Sequence, residues 1–139
     1  MLLSQLKKLK HFVDRRAKLA EKYDALLEQM CPQILPPVRQ LGNNLGWHLY
    51  SIRVEFTRLG ISRKGLIEFL REHNIGSQVH YIPLQLQPYW KKMGWGHKDF
   101  SGAMRYYERT LSLPIFPSME EDDVSYVVEN LKNGFEYTK

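Results

Sequence analysis

Residues 76–90, GSQVHYIPLQLQPYW, hold the densest group of chemistry-bearing side chains in the sequence. Gln78 and His80 stand two apart, so on an extended chain they share one face with Ile82 while Val79 and Tyr81 share the other. An amide beside an imidazole offers donors and acceptors to a polar ligand, and the loop that starts at Pro83 would fix their position. The same types also describe a hydrogen-bonded histidine at a sheet edge, with Tyr81, Tyr89 and Trp90 as core or interface aromatics. The residues alone leave both readings open.

Other chemistry finds little support. Gly42, Gly46, Gly60 and Gly65 are scattered and match neither phosphate-binding fingerprint. The histidines at 11, 48, 73, 80 and 97 form no ligand pair at helical spacing, and with one cysteine no metal site is expected. No serine lies on a nucleophile-elbow pattern, although a Ser–His–acid triad stays open. Cys31, the single cysteine, excludes an internal disulfide, suits a reducing compartment and reads as an inert thiol.

At 139 residues, 43% hydrophobic and 25% charged, the chain suits one domain with one modest core. It contains no apolar run of about 18 residues and no signal-peptide pattern, so a cytoplasmic protein with no membrane partner is expected. The net charge of +5 raises the question of nucleic acid. Lys7, Lys8, Lys10, Arg15, Arg16, Lys18 and Lys22 crowd the first helix, whereas Glu120, Glu121, Asp122 and Asp123 cluster near the end. Because the basic run shares its helix with an apolar stripe, a solvated face is expected and no nucleic acid. A basic-helix binder of nucleic acid or membrane surface is the alternative.

The elements that must position residues 76–90 read as follows. Leu2, Leu6, Leu9, Val13, Ala20, Tyr23, Leu27 and Met30 give an amphipathic helix over 2–30, interrupted by Arg16. It opens without a capping residue, like a helix cut from something larger. A loop follows Pro32 as far as Gly46. Tyr50, Ile52, Val54 and Phe56 then alternate as a strand. Ser62 caps a helix from Arg63 to about His73, and a second strand is expected over Ser77–Ile82. Pro88 opens a short helix through Met93, and Asp99 or Ser101 caps another to about Thr110. A third strand, Leu111–Phe116, contains Pro114 and so belongs at an edge. Ser118 and Glu121 are spaced as a capping box for a last helix that Asn133-Gly134 should close. This order predicts an α+β fold, a small, mostly antiparallel three-stranded sheet covered by helices, with a long N-terminal helix. One domain spans 1–139: a linking or interface helix over 1–31 and an α+β unit over 47–139.

Four segments in order, LSQLKKLKHFVDRRAKLAEKYDALL, WHLYSIRV, NIGSQVHYIPLQLQPYW and YYERTLSLPIFPSMEEDDVSYVVENL, resemble the C-terminal third of DegT-type sugar-nucleotide aminotransferases. The nearest flavour is that of the 4-amino-4,6-dideoxy-hexose enzymes of pseudaminic-acid-type pathways. The resemblance implies the small domain of a pyridoxal-phosphate enzyme with an aspartate-aminotransferase-like fold. It also implies a dimer whose missing large domain holds the cofactor. Ile75, Gly76, Ser77, Gln78, His80 and Tyr81 would then lie near a nucleotide-sugar substrate, while His48, Tyr50, Leu113, Pro114 and Pro117 would be architectural. Gln85 departs from a histidine common in relatives. Lys64, Lys91, Lys92 and Lys98 match no cofactor-lysine motif, so the chain alone is expected to hold no pyridoxal phosphate and to transfer no amino group. Its first helix is expected to expose an apolar face and to support homo-oligomers. A stand-alone, non-catalytic sugar-nucleotide binding or oligomerisation module is the other reading.

Overall fold

Helix α1 (Leu9–Met30) forms where apolar residues recur three and four apart: Tyr23 follows Leu19 by four and Ala20 by three, Leu27 follows Tyr23 by four, and all of them turn inward. The computed structural model describes residues 4, 6–39, 45–97 and 100–138. The expected stripe therefore divides. Its C-terminal half is core, Leu6 and Leu9 are 61% and 53% exposed, and Leu2 lies outside the described residues. The helix ends at Cys31, whose N–H still reaches Leu27 O at 2.9 Å before Pro32 stops the ladder.

Three strands follow: β1 (Ile34–Leu35), β2 (Tyr50–Val54) and β3 (Thr110–Leu113), in the order β1-β2-β3 and antiparallel throughout. Between and after them come α2 (Phe56–Leu59), α3 (Arg63–Glu72), α4 (Pro88–Lys92), α5 (Ser101–Arg109) and α6 (Glu121–Tyr137). The α+β class and the helix-covered antiparallel sheet are as expected, but one strand is not. Ile34–Leu35 pairs with Val54 and Arg53 inside what read as loop, while Ser77–Ile82 forms no strand.

Alternation along β2 sends Tyr50, Ile52 and Val54 into one core with Leu111 and Leu113, beneath α1, α3 and α6. Each fully buried leucine or valine here contributes about 1.5–3 kcal/mol. Helix α6 supplies Val124, Val127, Val128 and Leu131, as its periodicity predicts.

The caps correct three readings. Ser62 caps α3 as expected, its hydroxyl accepting from Gly65 N at 3.0 Å. Helix α6, however, starts two residues later than the Ser118 spacing suggests. Arg15 Nη2 donates to Met119 O at 2.7 Å, which holds that carbonyl outside the helix, and Asp123 Oδ2 accepts Glu120 N–H at 2.8 Å. Gly134 does not close α6: the Thr138 N–H and hydroxyl both reach its carbonyl, and the helix runs to Tyr137. Phe100, rather than Ser101, occupies the cap position of α5, and Asp99 lies outside the described residues.

Candidate functional site

The segment after α3 owes its course to Asn74. This residue takes φ 60°, a left-handed conformation that asparagine tolerates, and Ile75 N–H then bonds back to Leu70 O at 2.8 Å. Ile75 drops into the core and the chain is laid along the free edge of β3. There Gln78 and Ser112 exchange both backbone hydrogen bonds, at 3.2 and 2.8 Å. The ladder stops after this one pair for a specific reason. The next bonded pairs would be 76 with 114 and 80 with 110. Pro114 has no N–H; the Thr110 N–H is taken by Tyr106 O, and its carbonyl accepts from Arg63 Nη1 at 3.5 Å. The expected second strand is thereby reduced to a single bridge.

That bridge brings His80 to the sheet. His80 Nδ1 lies 2.9 Å from Ser112 Oγ, which lies 2.8 Å from Ser51 Oγ. Ser51 and Ser112 are register partners and stand on the face opposite Tyr50 and Ile52. Tyr81 is 71% exposed and meets the His80 ring edge-on, with centroids 4.7 Å apart. Gln78 is held by its backbone and exposes its amide. His80, Tyr81 and Gln78 thus present polar tips from one pinned segment.

The other candidates sit differently. Ile75 and Gly76 line a groove of about 520 Å³ with Pro114, Phe116 and Tyr126. Ile75 is a core residue, and the Ser77 hydroxyl is buried without a hydrogen-bond partner. Tyr50 and Leu113 are buried, and the Pro114 carbonyl accepts Tyr23 OH at 2.9 Å, which suits architectural roles. His48 is exposed, so no buried contact supports a structural role for it. Ser51 and Ser112 were missed by the sequence reading. Nothing local marks them, because their proximity to His80 depends on strand register. Gln85 is 7% exposed with an unpartnered Nε2, and with Trp90, Trp95 and Phe100 it lines an apolar groove of about 430 Å³.

Pyridoxal phosphate, the cofactor that the resemblance implies for the whole enzyme, finds no sheltered amine among the described residues. Holding that cofactor takes an amine in a sheltered pocket beside an anion cradle. No described lysine is buried, and Lys64, 85% exposed at its side chain, lies 3.8 Å from Glu68. Among the described residues no group of three metal-ligating side chains comes together, and no helix is long and apolar enough to cross a membrane. The basic face of α1 is partly neutralised, since Lys10 pairs with Asp14 at 2.7 Å and Arg15 with Glu120 at 2.6 Å.

Residues 1–132 match the DegT/DnrJ/EryC1/StrS aminotransferase family. The spore coat polysaccharide biosynthesis protein SpsC of Bacillus subtilis is 41% identical over 133 residues, which cover 94% of this chain and 34% of SpsC. The uncharacterized protein MJ1066 of Methanocaldococcus jannaschii is 40% identical over 131 residues, with the same shares. The chain spans about a third of the length of these curated relatives. Among solved structures, Helicobacter pylori PseC, an aminotransferase involved in the biosynthesis of pseudoaminic acid, superposes with a TM-score of 0.87 at 25% identity. The match covers 97% of this chain and 36% of PseC. Spr1654 of Streptococcus pneumoniae, solved in PLP and PMP forms, gives 0.82 at 28% identity over 97% of this chain and 34% of its own.

Proposed function

Because the chain belongs to the DegT/DnrJ/EryC1/StrS aminotransferase family, we propose that it is the small-domain third of a pyridoxal-phosphate-dependent nucleotide-sugar aminotransferase. The full enzyme would move an amino group onto a 4-keto-6-deoxy nucleotide sugar in surface-polysaccharide or glycan biosynthesis. Residues 1–31 serve as the linking and interface helix and 47–139 as the α+β small domain. The segment 75–81 forms one wall of the substrate pocket, with His80, Gln78 and Tyr81 touching the nucleotide-sugar and Ile75, Gly76 and Ser77 shaping the approach.

The observation that carries this reading is the pinned group at the β3 edge. A backbone bridge and a hydroxyl hold Gln78 and His80 at a sheet edge, while the Gln78 amide and Tyr81 stay open to a ligand. Among the described residues no lysine is buried as a cofactor amine would be. The large domain supplies the cofactor and its lysine, so this chain by itself neither holds pyridoxal phosphate nor transfers an amino group. Self-association through the exposed start of the first helix, around Leu6 and Leu9, completes the assembly. A cytoplasmic setting goes with the single buried thiol.

The test is to mix the 139-residue chain with pyridoxal phosphate, reduce with borohydride and map adducts by mass spectrometry. Substoichiometric labelling scattered over exposed lysines is expected. A stoichiometric adduct at one lysine, with its own visible absorbance band, would overturn the reading.

A further inference from the structure

We infer that Ser112 and Ser51 are positioning residues for His80: a relay of two hydroxyls that holds the neutral imidazole with its proton on Nε2, as a donor aimed away from the sheet. The ligand class this suits is an oxygen acceptor, such as a phosphate oxygen of the nucleotide sugar. That last step rests on the substrate-contact reading above; the relay itself rests on the sheet geometry.

The heavy atoms form one line, from Ser51 Oγ to Ser112 Oγ at 2.8 Å and on to His80 Nδ1 at 2.9 Å. Each hydroxyl has one proton to give, so the chain can run in either of two directions. In the first, Ser51 donates to Ser112 and Ser112 donates to Nδ1, which leaves the ring proton on Nε2. In the second, Nδ1–H donates to Ser112, Ser112 to Ser51, and the Ser51 proton is left over. Either direction leaves one donor without a protein partner among the described residues, the ring Nε2–H in the first and the Ser51 hydroxyl in the second. The first direction is selected because neutral histidine intrinsically favours the Nε2–H form, and its spare donor then faces away from the sheet, where a ligand oxygen can accept it.

The frame around the relay is unusually fixed for a residue in a loop. Ser112 is 4% exposed and exchanges two backbone bonds with Gln78, two residues before His80. Ser51 is opposite Ser112 in the β2–β3 register, so both hydroxyls must stand on one face. Tyr81 closes over the ring edge. The Nε2 side of the ring has no hydrogen-bond partner among the described residues, which leaves it for a ligand.

The experiment is a long-range ¹H–¹⁵N correlation spectrum of the imidazoles in the 139-residue chain, at a pH where histidine is neutral. Wild type should show His80 as the Nε2–H tautomer, with Nδ1 shifted as a hydrogen-bond acceptor. Ser112→Ala should raise the Nδ1–H share about fivefold, the factor that one hydrogen bond of about 1 kcal/mol carries. Ser112→Thr keeps the hydroxyl and should restore the wild-type pattern. Should Ser112→Ala disturb the fold, Ser51→Ala tests the same relay from its far end, with a smaller shift of the same sign. A wild-type ring protonated on Nδ1, or ring-nitrogen shifts indifferent to Ser112→Ala in a folded protein, overturns the relay. The spectrum contains no ligand, so this failure is distinct from failure of the functional reading, which amino transfer decides.

Discussion

Tyr23 of α1 and Tyr50 of β2 lie ring over ring, with centroids 4.6 Å apart and planes 22° apart. Tyr23 OH donates to Pro114 O at 2.9 Å, while Tyr50 OH donates to Asp24 Oδ1 at 2.5 Å; Arg39 pairs with the other oxygen of Asp24. The pair therefore ties the long helix to β2 and to the chain leaving β3. Those two strands carry Ser51 and Ser112.

This pair makes stability fall in alkali. Burial, first of all, pushes both phenols above the ordinary tyrosine range. The charge of Asp123 adds to this for Tyr23, and the Asp24 hydrogen bond and charge add to it for Tyr50. Above about pH 10 the unfolded chain gives up these protons while the native state keeps them, so native stability is intact below that pH and declines as pH rises further. Urea midpoints measured from about pH 8 to 11 should fall through the upper half of that range, and less steeply in Tyr50→Phe. A midpoint indifferent to pH, or a slope the substitution leaves untouched, contradicts the assignment.

Cys31 should behave as a buried thiol. It is fully enclosed between the end of α1 and β1, and burial pushes it up to about 11, with the charge of Lys132 pulling slightly the other way. Alkylation near neutral pH should be roughly a hundredfold slower in native protein than in denaturant, because it must await opening. Native labelling at the denatured rate would place the thiol at the surface.

Gly134 is where α6 packs tightly against α3. A Cβ there would lie 2.6 Å from Leu66 Cδ1 and 3.0 Å from Phe69 Cδ1. For Gly134→Ala, overpacking of about 1–3 kcal/mol is offset by about 1 kcal/mol of helix propensity. The net loss should stay below about 2 kcal/mol. Gly134→Val lacks most of that compensation and should cost about 3 kcal/mol in chemical denaturation. Equal stability of Gly134→Val and wild type would refute the close approach.

The same glycine shows where sequence patterning stops. Read locally, Asn133-Gly134 is a helix end; in the fold it is the gap into which α3 fits. Strand β2 was legible because Tyr50, Ile52 and Val54 alternate over a half-buried sheet. Strand β1 was not, because two residues between Pro32 and Pro36 carry no period. The Ser77–Ile82 run has a strand's composition, yet its pairing is vetoed by Pro114 and by the occupied groups of Thr110, which lie 28 or more residues further along the chain. His80 and Gln78 stood out by type. The hydroxyls that hold His80 did not, since Ser51 and Ser112 meet only through register.

The exposed leucines at the start of the first helix predict association. Leu6 and Leu9 present apolar surface next to a charged face, and burying both should contribute about 3 kcal/mol to a self-contact. Sedimentation of the chain should show a concentration-dependent dimer that Leu6→Glu with Leu9→Glu shifts to monomer. A wild-type monomer at about millimolar concentration would contradict this.

The most direct measurement of the central claim is amino transfer by a chimera in which this chain replaces the matching C-terminal third of Bacillus subtilis SpsC, a relative 41% identical over that stretch. Cofactor loading reports that the chimera has folded. The loaded chimera should transfer an amino group to a 4-keto-6-deoxy nucleotide sugar, and His80→Ala should raise its KM about tenfold, the loss of one ligand hydrogen bond of about 1.4 kcal/mol. A folded, loaded chimera without transfer, or one whose KM ignores His80→Ala, contradicts it.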